Sequence, residues 1–244
     1  MLGIIIQARL GSTRLPGKVT LPFYNGKGIL ELIIDNLSSN FKNTPIIIAT
    51  TNSQKDDEIF KLANDKNIKC FRGSENNVLD RFIKAAEYFG LTEIIRVCSD
   101  NPFLNISSLK FLINNFNNSE YDYVSFKTSN NIPIIKTHYG LWAEGVKLNS
   151  IKKIITENKI YLEHVTNYIY EHPNDFKIKL FQIEKENDSI RLTTDTKEDF
   201  LLNKEIFSEI VKIDNMDIKD FIKYISNNNI WLKKMREQIK NNLK

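Results

Sequence analysis

Gln7-Ala8-Arg9-Leu10-Gly11-Ser12-Thr13-Arg14-Leu15-Pro16-Gly17-Lys18 follows directly on an unbroken apolar run, Leu2 to Ile6. A continuous branched apolar run is the pattern of a strand buried on both faces in a parallel sheet. In an open α/β sheet, ligands bind beyond the C-terminal ends of the strands, so this loop stands where a substrate or cofactor is expected. Gly11 lets backbone N–H groups approach an anion, and Arg9, Arg14 and Lys18 add three cations at spacings of five and four residues. That density of donors suits a polyphosphate, although a solvated basic turn punctuated by Pro16 and Gly17 accounts for the same residues. Ser12 and Thr13 either bond phosphate oxygens or cap the turn. The Walker pattern does not fit, because five residues separate Gly11 from Gly17 and Val19 follows Lys18. The dinucleotide fingerprint also fails, for want of a close glycine pair.

Two further runs of the same kind, Pro45 to Ala49 and Ile94 to Cys98, follow at intervals that leave room for helices, which gives a β-α-β-α-β beginning. Apolar residues at helical spacing predict helices over Gly28 to Ser39, Gln54 to Asn67, Asn77 to Phe89 and Ser107 to Asn117. Gly90 ends the third, Ser107 is the expected cap of the fourth, and Asp56 and Asp57 are read as favouring a helix N-terminus. From about Tyr121 shorter strands are expected, at Tyr123 to Phe126, Tyr139 to Ala143 and Lys177 to Ile183, around a helix from Tyr161 to Tyr170. The chain returns through Ile190 to Thr194 and closes with helices near Lys197 to Val211, Ile218 to Ile225 and Ile230 to Ile239. With no repeat and no flexible linker, residues 1–244 form a single domain, with an excursion at about 132–181 and a helical tail at about 213–244.

Of the 244 residues, 41% are hydrophobic and 26% charged, enough to bury one large core. No stretch approaches the roughly 20 apolar residues of a membrane span, and Leu2 to Ile6 is too short for a signal peptide, so a cytoplasmic protein is expected, with no membrane partner. Cys70 and Cys98 lack the spacing of a zinc or redox pair and read as reduced core residues. The formal charge of +4 comes from the tail, where Lys233, Lys234, Arg236, Lys240 and Lys244 face only Glu237. The neutral body gives no field for nucleic acid, and no such partner is expected.

Asp100 and Asp195 each follow an extended apolar segment. As carboxylates at strand ends they are either loop caps and ion-pair partners or ligands of a hard cation, which takes one or two carboxylates beside water and phosphate. Asp80 and Arg81 read from spacing alone as an exposed helix face.

The opening string, with Ile48 to Thr51, Phe71 to Ser74, Asp80-Arg81, Asp100-Asn-Pro102, Glu163-His-Val-Thr166 and Arg191 to Thr196, resembles the signature of the acylneuraminate and Kdo cytidylyltransferase superfamily, most closely its spore-coat polysaccharide branch. The resemblance runs from residue 1 to about residue 205. It implies a three-layer α/β/α, Rossmann-like nucleotide-diphospho-sugar transferase (GT-A-like) fold, with a mixed, mainly parallel sheet and a dimerisation arm at 132–181. It implies CTP as substrate and Mg2+ on Asp100 and Asp195. Arg9, Arg14 and Lys18 become catalytic, while Ala8, Gly11, Ser12, Thr13, Arg72, Ser74, Asp80 and Arg81 bind the nucleotide. Glu163, His164, His138 and Tyr139 face a small-molecule acceptor, with His164 a binder of its carboxylate or phosphate or a local base. An acceptor oxygen then attacks the α-phosphorus and pyrophosphate leaves. Relatives carry Asp-Gly near the place where this chain has Tyr139-Gly140, and often glycine at Ser99, so their acceptor does not carry over to this chain from the resemblance, and both departures touch specificity more than the triphosphate chemistry. The rivals are a glycosyltransferase of related fold and a nucleotide-binding partner without catalysis.

Overall fold

The computed structural model describes residues 1–213 and 216–242. Strands β1 (Leu2–Gln7), β2 (Ile46–Thr51), β3 (Lys69–Gly73), β4 (Glu93–Cys98), β5 (Tyr123–Lys127), β6 (Glu144–Lys147) and β7 (Ile178–Gln182) form one sheet in the order β3-β2-β1-β4-β6-β5-β7. β6 runs antiparallel to both its neighbours and the remaining pairs are parallel, so the sheet is mixed and mainly parallel. From β1 the chain builds outward to β2 and β3, then crosses to place β4 on the other side of β1. The resulting crevice between β1 and β4, at their C-terminal ends, is the place where open sheets bind ligands.

Strand alternation divides the core into two layers of packing. Ile4, Ile6, Ile46 and Ile48 point to one face, and Ile5, Ile47 and Ala49 to the other. The first face is covered by α1 (Ile29–Asn40), α2 (Asp57–Asp65), α4 (Ile106–Phe116), α8 (Lys197–Ile210), α9 (Ile218–Asn227) and α10 (Asn229–Asn241). The second is covered by α3 (Val78–Tyr88), α5 (Leu148–Lys152) and α7 (Asn167–Glu171), with α6 (Lys159–Glu163) beside α3. This is the expected three-layer α/β fold. Among the described residues, no helix is long and apolar enough to cross a membrane.

The second half departs from its sequence pattern. Tyr139 to Ala143 is not a strand; the strand begins at Glu144, a charged residue buried for reasons given below. The helix expected over Tyr161 to Tyr170 is interrupted from His164 to Thr166. Ile190 to Thr194 joins no strand, and instead Leu192 and Thr194 donate their N–H groups to His138 O (2.8 Å) and Asp100 O (3.0 Å). Asn105, not Ser107, caps α4, accepting from Ser108 N. β3 escapes notice because it is a half-exposed edge strand with no apolar run. The excursion at 132–181 supplies β6 and β7 to the main sheet, so part of it belongs to the body. The tail forms α9 and α10 as expected, while Asp214, Asn215, Leu243 and Lys244 lie outside the described residues.

Candidate active site

The loop after β1 closes around one peptide. Leu10 donates its N–H to Asp56 Oδ1 at 2.7 Å, and its carbonyl accepts from Ser12 N (2.8 Å) and Gly17 N (3.0 Å). Gly17 has φ +70°, a conformation open to glycine at little cost. Asp56 is buried and also accepts from the Thr51 hydroxyl at the end of β2. It is therefore a tether between loop and sheet rather than a partner of the α2 dipole.

Lys18, at the far end of the loop, reaches back under it. Its Nζ donates to Asp100 Oδ2 (2.8 Å), Thr194 O (2.6 Å) and Asp195 Oδ1 (3.4 Å). Burial works against this charge, but the attraction of Asp100 and Asp195 outweighs it and holds the ammonium above the ordinary lysine value. Arg14 Nη2 meets Asp195 Oδ1 at 2.9 Å. Asp195 is fixed from behind by Arg191, whose Nη2 lies 3.2 Å from Asp195 Oδ2. Arg191 is buried and makes a two-pronged bond to Asp199 at 2.8 and 2.7 Å. Asp199 in turn closes the capping box of α8 with Thr196. Asp195 thus stands just before a helix N-terminus, behind an irregular segment and not at the end of a strand.

No group of three or more metal-binding side chains occurs among the described residues. Asp100 and Asp195 nonetheless present hard oxygens to a shared cation, at present the Lys18 ammonium. A Mg2+ ion satisfied by one or two carboxylates fits this pair.

These residues line one side of a cleft of about 670 Å³, together with Arg9 and Ser12. The opposite side is built from Lys136, Glu163, His164, Tyr170 and Glu171, over a floor that includes Gln7, Arg96 and Thr166. Arg9 Nη2 crosses to Glu163 Oε1 at 3.1 Å. The structure therefore brings Arg9, Ser12, Arg14, Lys18, Asp100, Asp195, Glu163 and His164 to one cavity. Of the four residues expected at the acceptor, two lie outside the cavity's lining. Tyr139 is buried against Trp142 and its hydroxyl accepts from Asn187 N at 2.6 Å, while His138 Nδ1 lies 2.8 Å from Arg191 Nη1. Cys98 lines the cleft instead of the core.

The residues expected at the base run from the last residues of β3 into the first turn of α3. Arg72 is engaged on both prongs, donating to Thr51 O (2.9 Å), Ser53 O (2.7 Å) and Asp57 Oδ1 (2.6 Å). Ser74 Oγ accepts from Asn77 N at 3.0 Å, and Asp80 pairs with Lys84 at 2.9 Å. Arg81 is not an exposed helix residue at all: it is fully buried, bonds Ser74 O through Nη1, and has no partner for Nε or Nη2. Burial, reinforced by Arg9, pushes its guanidinium down to about 10 against the opposing pull of Asp56 and Glu75. Of the loop positions, Ala8 is buried, Thr13 is exposed, and a side chain at Gly11 would come within 3.0 Å of Glu75 Oε1.

Sequence reading missed a second buried network. Glu144 accepts from Arg96 Nη1 through Oε2, and from the Tyr123 hydroxyl and Thr166 Oγ1 (2.9 Å) through Oε1. A carboxylate needs such partners to be buried at all. The signal was a pair of opposite charges set against apolar residues, Arg96 within Ile94 to Cys98 and Glu144 directly after Leu141 to Ala143.

A family model described as Cytidylyltransferase matches residues 3–237. The chain is 37% identical over 230 residues to the uncharacterized protein MJ1063 of Methanocaldococcus jannaschii, spanning 92% of this chain and 90% of that one. It is 32% identical over 233 residues to the spore coat polysaccharide biosynthesis protein SpsF of Bacillus subtilis, spanning 92% and 93%. Its fold matches the structure of a cytidylyltransferase from Leptospira borgpetersenii with a TM-score of 0.80 at 27% identity, covering 95% of this chain and 96% of the other.

Proposed function

This chain belongs to the cytidylyltransferase family, and from that premise we propose that it transfers CMP from CTP to a small acidic or sugar-like acceptor, releasing pyrophosphate, in surface polysaccharide or glycoconjugate assembly in the cytoplasm. The observation that carries the reading is the convergence of Lys18, Arg14, Asp100 and Asp195 beneath the loop after β1, inside one cleft.

Arg9, Arg14 and Lys18 bind the triphosphate and stabilise the negative charge that develops as the acceptor oxygen attacks the α-phosphorus. A P–O bond to the acceptor forms, the bond from the α-phosphorus to the pyrophosphate oxygen breaks, and the acceptor proton is lost. Arg14 and Lys18, which now pair with Asp195 Oδ1, turn to phosphate when the nucleotide arrives. Asp100 and Asp195 would hold Mg2+, which when bound supplies neutralising charge to the phosphates. Ser12, Thr13 and the backbone around Gly11 face phosphate, and the cluster of Arg72, Ser74, Asp80 and Arg81 frames the base and ribose. Glu163 and His164 contact the acceptor, whereas His138 and Tyr139 have other work: His138 buttresses Arg191, and Tyr139 fills the core. A homodimer through residues 132–181 is part of this reading, since Ile155 and Ile160 there are 94% and 58% exposed.

Thermal unfolding with each of four nucleoside triphosphates and Mg2+, followed by pyrophosphate release against a panel of sugar acids and phosphorylated alditols, tests the proposal. CTP should give the largest stabilisation and release should require both CTP and an acceptor. Stabilisation by a nucleotide sugar, with no pyrophosphate from any acceptor, would move the protein to the glycosyltransferases.

A further inference from the structure

Three polar side chains are almost wholly buried in the wall of the cleft and yet bond to nothing in the protein. Ser99, Asn101 and Asn167 are 6%, 7% and 8% exposed, and all three line the cleft. Their backbones are tied down: Ser99 N donates to Gln7 O (3.2 Å), Asn101 O accepts from Leu104 N (3.4 Å) and Asn167 N donates to His164 O (3.0 Å). Their side chains make no hydrogen bond among the described residues. Nor are these side chains sealed in, since the enclosed polar atoms without a partner belong to other residues, such as Thr50 and Asn203. The hydroxyl and the two amides therefore open onto the cleft, and what enters it must satisfy them.

Ser99 and Asn101 flank Asp100 just past the end of β4. Gly140 is pressed against the Asn101 amide: a Cβ there would lie 3.1 Å from Oδ1 and 3.2 Å from Thr193 N, so packing fixes an amide that hydrogen bonds do not. Asn167 is the first residue of α7, next to Thr166, whose hydroxyl is anchored on Glu144 at 2.9 Å. The charged groups of the cleft face one another, Arg9 with Glu163, Lys136 with Glu171, and Lys18 and Arg14 with Asp195. These three side chains are neutral. An amide offers both lone pairs and N–H donors, and a hydroxyl likewise donates and accepts. An ionised carboxylate or phosphate only accepts, and would leave half of that capacity unused. A hydroxyl group uses all of it.

We propose that Ser99, Asn101 and Asn167 are specificity-determining residues that read the non-reacting hydroxyl groups of the acceptor. Ser99 and Asn101 do so beside Asp100, next to the point of attack, and Asn167 does so farther along the acceptor chain. The assignment rests on the cytidylyl-transfer reading of the cleft. An analogue that lacks one of these hydroxyls leaves a buried amide unpaired and is rejected for that reason.

The test uses the full-length protein without nucleotide and follows the side-chain NH2 signals of Asn101 and Asn167 in 15N-labelled NMR spectra, each identified by its absence from N101L or N167L. Ribitol is the probe, and 1,5-pentanediol, the same carbon chain without the inner hydroxyls, is its counterpart. Ribitol should shift both signals and bind wild-type protein about tenfold more tightly than 1,5-pentanediol. N101L and N167L should each lose about tenfold in ribitol affinity while keeping their affinity for CTP with Mg2+. If N101L does not fold, as read from its unfolding midpoint, N101A removes the amide without adding bulk and should show the same loss. No binding of ribitol, equal binding of the two probes, ribitol binding that leaves both NH2 signals unmoved, or unchanged ribitol affinity in both variants would each overturn the assignment. So would a parallel loss of CTP affinity in the variants, the mark of a disturbed cleft wall. Failure of CTP to bind wild-type protein would strike the transfer reading separately, since the ribitol titration needs no nucleotide.

Discussion

The guanidinium of Arg9 and the carboxylate of Glu163 meet at 3.1 Å across the cleft, so an ion pair joins the loop after β1 to α6. The partners are 32% and 52% exposed, which limits the pair to about 0–1 kcal/mol. If Arg9 binds triphosphate, it must leave Glu163 first. E163Q should therefore tighten CTP binding by up to about fivefold, measured by calorimetry with Mg2+ present. Weaker binding would mean that Glu163 itself helps to hold the nucleotide.

Lys18 separates two carboxylates that otherwise repel each other. K18Q should lower the rate of pyrophosphate release by about 100-fold or more, the loss of roughly 3 kcal/mol of transition-state stabilisation. It should also bind Mg2+ without nucleotide more tightly than wild-type, because the metal no longer competes with the ammonium. Calorimetric titration with MgCl2 checks this, and unchanged Mg2+ affinity would count against Asp100 and Asp195 as the metal pair.

The same contacts set a pH dependence. In the fold, Lys18 holds its proton more tightly than at the ordinary value of 10.5. Its contribution to stability is then complete below about pH 10.5 and fades as pH rises through the higher folded value. The stability difference between wild-type and K18M should be level from about pH 7 to 9.5 and shrink above about 10.5 in denaturant titrations.

Asp56 positions a loop whose side chains are proposed to touch the nucleotide, without touching it itself. D56A leaves the Leu10 N–H without its acceptor and should cost about 1–3 kcal/mol of stability. The signature of positioning is kinetic: KM for CTP should rise about tenfold, an effect near 1.4 kcal/mol, with a smaller change in kcat. D56N, which keeps an oxygen for Leu10, should recover most of the affinity. Equal KM values in wild-type and D56A would show that the loop holds its shape unaided.

The fold was legible where burial writes a continuous signal. β1, β2 and β4 are apolar runs and α3 carries an apolar stripe, so these three strands of the parallel half follow from pattern alone while the edge strand β3 does not. The loop residues and Asp100 were legible because they follow β1 and β4, which leaves them one end of the sheet to occupy, whereas Asp195 follows an irregular segment and was joined to them by the family resemblance. Legibility failed where polar groups were buried in pairs. Arg96 and Glu144 each look like solvent-facing residues until the partner is known, and the partner is 48 positions away. Asp56 and Asp57 look alike in sequence, yet one is sealed against Leu10 and Thr51 while the other meets Arg72 at the surface. Arg81 shows the converse limit, since a charged residue on an amphipathic helix reads as outward although its helix turns it into the protein.

Glu144 links three strangers: Arg96 of β4, Tyr123 of β5 and Thr166 between α6 and α7. Changing any one of them strands the other two, so this foundation resists piecemeal substitution. Diversification toward new acceptors is then expected to proceed at the rim, through Lys136, His164 or Glu171, whose replacement leaves the interior intact. Libraries randomised at those three positions should yield folded variants far more often than libraries randomised beneath them.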